Sequence, residues 1–107
     1  MSNKRRVVIT GLGMVGPVGL NVADSWANIL AGKSGIRPLV HFDVAAFSTR
    51  FGGSVWGFDA AQYMPAKDIK KMDPFIHYGI AAGKEAIADA GLEVTAENAH
   101  RIGVAIG

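Results

Sequence analysis

The residues able to do chemistry in this 107-residue chain fall into a few short groups. Gly11-Leu12-Gly13-Met14-Val15-Gly16 is a formal G-x-G-x-x-G after the β-branched run Val7-Val8-Ile9, the pattern of a loop that wraps a dinucleotide pyrophosphate. Lys67, Lys70 and Lys71 are spaced i, i+3 and i+4, so they share one face of any helical turn. His41, His77 and His100 stand apart from one another, and Lys4-Arg5-Arg6 opens the chain. There is no cysteine, which removes a thiolate nucleophile, a disulfide and a cysteine-ligated metal from this stretch.

The glycine motif meets one of three requirements for dinucleotide binding. A strand precedes it. The helix that should start within the glycines is postponed, because Gly16-Pro17-Val18-Gly19 continues as loop and the first cap signal is Asn21; the phosphate would then miss the helix N-terminus. An acidic residue about 20 positions on is also missing, since Leu30 to Pro38 holds neither an acid nor a second strand. A P-loop fails because no glycine is followed, after four intervening residues, by Gly-Lys-Ser/Thr. The glycines are better explained as places where other backbone packs close.

The basic turn at Lys67, Lys70 and Lys71 suits either an acidic partner or plain solvation, and the residues alone leave both open. Lys4-Arg5-Arg6 lacks interleaved aromatics and sits beside an apolar strand, so it reads as a solvated strand start rather than a nucleic-acid arm. Trp26 and Trp56 read as core or interface anchors. His77, between Ile76 and Tyr78, reads as a structural or surface histidine, and His100 as a loop residue. No catalytic residue and no metal site is assigned.

These residues need elements to hold them. Arg6 to Leu12 reads as a buried strand. Asn21 caps a helix over Val22 to Ala31, with Val22, Trp26, Ile29 and Leu30 on its apolar stripe. Ser34 to Thr49 reads as loop, Arg50 to Phe58 as a strand, and Ala60 to Met64 as one helical turn. Asp73-Pro74 opens a helix, with Ile76, Gly79, Ile80, Gly83, Ile87 and Ala90 on one stripe, Lys84, Glu85 and Asp89 off it, and Gly91 as its stop. The small residues at 79 and 83 predict close approach of another helix. Thr95 caps a turn through Ala99, and Arg101 to Gly107 alternates as a strand. The β–α–β–α–β order predicts an α/β fold with a parallel or mixed sheet and covering helices. Its last strand has no following helix, so the chain reads as the front part of a larger protein.

Half the residues are hydrophobic and 19% are charged, which suits a packed core. The 14 glycines are scattered, and the formal net charge of +2 does not by itself call for nucleic acid. The first apolar run stops after Ile9, short of a signal peptide or a membrane span. A soluble, cytoplasmic protein with no membrane association is expected.

Arg5-Arg6-Val7-Val8-Ile9-Thr10-Gly11-Leu12-Gly13-Met14-Val15, Pro17-Val18-Gly19 and Leu30-Ala31-Gly32-Lys33-Ser34-Gly35-Ile36 resemble the opening of the elongating β-ketoacyl-acyl-carrier-protein synthases of type II. His41-Phe42-Asp43, Lys71-Met72-Asp73-Pro74-Phe75-Ile76, Tyr78-Gly79 and Arg101-Ile102-Gly103 are similar to the same family in the same order. Gly16 departs from it, where the family usually has serine before the proline. The resemblance implies the N-terminal part of the first half of a thiolase-like fold, stacked in five αβαβα layers and working as a homodimer. It implies fatty-acid elongation: an acyl chain moves to a cysteine, and malonyl-carrier protein loses CO2 and attacks the thioester. The cysteine and two histidines of that chemistry match no residue here, so the 107 residues alone are expected to be inactive. No cofactor is implied, because phosphopantetheine arrives on the carrier protein. Acyl and malonyl thioesters are the implied substrates, and acyl carrier protein is the implied partner of Lys67, Lys70 and Lys71. The alternatives are a ketosynthase domain of a polyketide synthase and a non-catalytic carrier-protein-binding module.

Overall fold

The computed structural model describes residues 3–107. In chain order the elements are helix α1 (Val22–Leu30), strand β1 (Ile36–Pro38), strand β2 (Phe51–Gly53), a 3-10 turn at Ala60–Gln62, the single turn α2 (Ala66–Ile69), helix α3 (Pro74–Ala90) and a 3-10 turn at Ala99–Arg101.

The helix ends follow their capping chemistry. Asn21 is extended, and its side-chain oxygen accepts the Asp24 N–H at 2.7 Å. α3 starts with Pro74 at its first position, where no N–H is needed. Asp73 precedes it in extended conformation but makes no side-chain cap bond. Gly91 ends α3 with φ of 63°, and Leu92 N–H donates back to the Ile87 carbonyl at 3.2 Å, a Schellman closure.

α3 is the spine of the molecule, and two other segments lie on its opposite faces. On one face Ala82, Ala86 and Ala90 receive the glycine-rich segment. A Cβ added at Gly13 would overlap the Ala82 carbonyl, and one at Gly11 would overlap the Ala86 carbonyl. Both positions need glycine because helix backbone occupies the space. The Leu12 N–H donates to the Asp89 carboxylate at 3.0 Å. Glu85 Oε1 accepts from Met14 N–H at 3.3 Å and from Val22 N–H at 2.9 Å. One carboxylate oxygen therefore ties the glycine segment, the start of α1 and α3 together. On the other face, the segment Tyr63 to Ile69 packs against His77 and Lys84, with Ala81 buried between them.

Between these segments Gly16 and Gly19 exchange backbone hydrogen bonds of 2.9 and 3.3 Å around Pro17-Val18, a tight reversal. β1 and β2 pair antiparallel with Ile36 opposite Gly53 and Pro38 opposite Phe51. Trp56 braces this ribbon: its indole N–H donates to the Gly35 carbonyl at 2.8 Å, His41 stacks on it at 5.7 Å, and the Arg37 guanidinium lies 5.2 Å from its ring centre.

The expected β–α–β–α–β sheet is corrected. The sheet among the described residues is the two-stranded β1–β2 ribbon. β1 falls within the stretch expected to be loop, and β2 is the short remnant of the strand expected over 50–58. Arg6 to Leu12 and Arg101 to Gly107 carry no strand pairing, because a strand is completed by a partner strand's hydrogen bonds and the neighbour these stretches meet is the helix α3. Val7, expected buried, is 94% exposed, and Val104 83%. In α1 the expected apolar stripe also faces outward. Trp26, Ile29 and Leu30 are exposed while Ser25 is buried against Gly19. Gly79 and Gly83 have open space where a neighbouring helix was expected. Thr95 does not cap with its side chain; the Asn98 side chain accepts from Thr95 N–H at 2.7 Å instead.

Candidate functional site

The basic turn begins after buried Met64. Phe58 stacks on Tyr63 with ring centres 5.5 Å apart and meets Tyr78 of α3 edge-on at 5.0 Å, so an aromatic group anchors the approach. Lys84 Nζ donates to the Tyr63 carbonyl. Pro65 then starts α2 in extended conformation, and proline suits the position because its missing N–H costs nothing there. Hydrogen bonds from Asp68 and Ile69 N–H to the Pro65 carbonyl close the turn at 2.9 and 3.2 Å. Lys71 N–H to the Asp68 carbonyl at 3.1 Å carries the helical curvature one step past α2.

Lys67, Lys70 and Lys71 are all exposed. Lys67 lies within α2, Lys70 caps it and Lys71 follows. None makes an ion pair with another described residue, so the three ammonium groups add their fields outward on one side of a short turn. Such a cluster attracts an acidic surface over roughly a Debye length, about 8 Å at physiological salt, and steers association more than it holds a complex. The helical spacing expected for the three lysines is thus realised.

The remaining chemistry-bearing residues have structural surroundings. The amides of Leu12 and Met14 are occupied by the carboxylates of Asp89 and Glu85, and those negative charges oppose a phosphate in the glycine loop. His77 is buried, 8% exposed, with Nε2 3.2 Å from the Ile69 carbonyl. His41 is held on Trp56. His100 lies in the 3-10 turn Ala99–Arg101 and is exposed, rather than in irregular loop. No group of three or more His, Cys, Asp or Glu among the described residues is placed to hold a metal ion, and no described helix is long and apolar enough to cross a membrane.

Sequence reasoning missed the two carboxylates. Glu85 and Asp89 stand off the apolar stripe of α3, and the helical period alone assigns them no partner. Their i, i+4 spacing beside Ala82, Ala86 and Ala90 was the available signal: a small-residue face flanked by acceptors suits a backbone segment with free amides.

Residues 4–107 match the family "Beta-ketoacyl synthase, N-terminal domain", and the chain belongs to that family. Among its relatives, 3-oxoacyl-[acyl-carrier-protein] synthase 2 of Vibrio cholerae is 63% identical over 105 residues, covering 98% of this chain and 25% of that protein. The enzyme of the same name from Coxiella burnetii is 47% identical over 104 residues, covering 97% of this chain and 25% of its own length. That from Staphylococcus aureus is 38% identical over 107 residues, covering all of this chain and 26% of its length. A solved structure described as the ishigamide ketosynthase/chain length factor superposes with a TM-score of 0.72 at 35% identity, over 83% of this chain and 22% of that one. The chain therefore spans about a quarter of the length of the relatives it matches.

Proposed function

We propose that these residues are the N-terminal part of a type II 3-oxoacyl-acyl-carrier-protein synthase that elongates fatty acids. The observation that carries this reading is the 63% identity to such an enzyme across nearly the whole chain. The three relatives described above, from 38 to 63% identical, share the name 3-oxoacyl-[acyl-carrier-protein] synthase 2, which favours fatty-acid elongation over polyketide assembly. The reaction joins an acyl thioester to the carbon freed when malonyl-carrier protein loses CO2. Its thiolate comes from polypeptide other than these residues, which contain no cysteine.

The proposed architecture is the opening of the first half of a thiolase-like, five-layer αβαβα fold in a cytoplasmic homodimer, with no resident cofactor and with phosphopantetheine delivered on the carrier. The exposed strand-like segments and the open apolar face of α3 support a fold completed by further polypeptide. Lys67, Lys70 and Lys71 are the proposed contact with acyl carrier protein; their joint exposure and freedom from ion pairs support it.

The test is condensation by the protein its gene produces, supplied with acyl- and malonyl-carrier protein. Release of CO2 with formation of a 3-oxoacyl thioester is expected, and its absence in a folded preparation would overturn the assignment. Changing all three lysines to glutamate should slow carrier-protein association at low salt and flatten its salt dependence. Unchanged rates would discard the docking role.

A further inference from the structure

We infer that His77 is the positioning residue of the basic turn, setting where Lys70 and Lys71 stand. The inference rests on the docking role proposed above for the lysines. α2 has four residues, well below the length at which a helix is stable alone, about 12 residues. Its first residue is preceded by a proline that makes no cap bond. Its placement must therefore come from outside. Two side chains of α3 supply it, and they lie seven positions apart on one helix face. Lys84 holds the Tyr63 carbonyl before the turn, and His77 holds the Ile69 carbonyl at its end. Ala81, 2% exposed, fills the space between them.

The two holds are not equivalent. Lys84 is exposed and grips a carbonyl upstream of Met64 and Pro65. His77 is buried and bonds the carbonyl whose peptide leads directly into Lys70. A carbonyl can only accept, so Nε2 carries the hydrogen and donates it. The same Ile69 carbonyl also receives Met72 N–H at 3.4 Å, so it is the point where the turn and the lead into Asp73-Pro74 are joined. A buried donor fixes that peptide plane, and with it the directions of the next two lysines.

The contrast between His77→Gln and His77→Asn tests this. A glutamine amide nitrogen takes roughly the place of Nε2, whereas an asparagine nitrogen takes that of Nδ1. Both are polar and neither adds volume. In the protein its gene produces, we expect H77Q to keep the parental KM for acyl carrier protein. H77N should raise that KM by about fivefold with kcat within twofold, an effect of the size expected for charges displaced from their partner surface. Amide exchange at Lys70 to Met72 should accelerate in H77N alone. Equal KM in both variants, or a loss confined to kcat, overturns the positioning role of His77. If the K67E/K70E/K71E protein also keeps the parental KM, the docking role falls as well; if only H77N does, the lysine role survives and the His77 inference alone fails.

Discussion

Glu85 does more for this fold than its place on an amphipathic helix suggests. One oxygen accepts from Met14 and Val22, residues 71 and 63 positions away in the chain. Removing the acceptor leaves the part-buried Val22 N–H unpaired, while the exposed Met14 N–H turns to water. Glu85→Ala should therefore destabilise by about 1–3 kcal/mol, and Glu85→Gln, which keeps a carbonyl oxygen, by distinctly less; denaturant unfolding of the purified protein measures both. The glycine segment offers a paired comparison. Gly13→Ala drives a methyl into the Ala82 carbonyl, while Gly16 has nothing within 4 Å of an added Cβ. G13A is expected to fold poorly or unfold several degrees lower, and G16A to melt close to the parent. Equal melting temperatures would show that the segment does not lie on α3.

At the scale of elements, α1 and α3 were readable because their signals are local. Asn21 and Asp24 bond within one turn, and Pro74 and Gly91 act on their own backbone. Asn21→Ala should cost about 1 kcal/mol, read as a lowered unfolding midpoint. The face each helix buries was not local. The apolar stripe of α1 points outward while Ser25 is enclosed, since the partner that arrived was the backbone of Gly19 rather than an apolar side chain. β1 escaped the sequence reading because Ile36-Arg37-Pro38 has no period of its own. It exists through the register with Phe51-Gly52-Gly53 and the brace of Trp56.

The whole molecule is too open for its size. Its radius of gyration is 17.9 Å, against about 13 Å for a compact chain of this length. Its accessible surface is 8691 Å², where size scaling gives about 5,700 Å². Much of the excess is apolar: Val7, Ile9, Trp26, Leu30, Phe75 and Val104 all stand more than half exposed. The isolated 107-residue polypeptide should consequently self-associate and bind a hydrophobic dye, seen by sedimentation and fluorescence. A cooperative, dye-free monomer would show that this surface needs no cover. The isolated chain should also give no condensation turnover, since it holds no cysteine to carry an acyl group.

Sequence alone determined the helix limits of α3, the Asn21 cap, the shared face of the three lysines and the family resemblance, because each depends on residue types a few positions apart or on an ordered series of short motifs. Tertiary structure decided that the glycines answer to helix backbone and two carboxylates, that His77 is buried beneath the basic turn, and that the strand-like ends are unpaired among the described residues. Those outcomes turn on which segments meet, the glycine segment and α3 across 60 or more positions of chain and Ile69 and His77 across eight, and the spacing of residues within one segment does not name the segment it will meet.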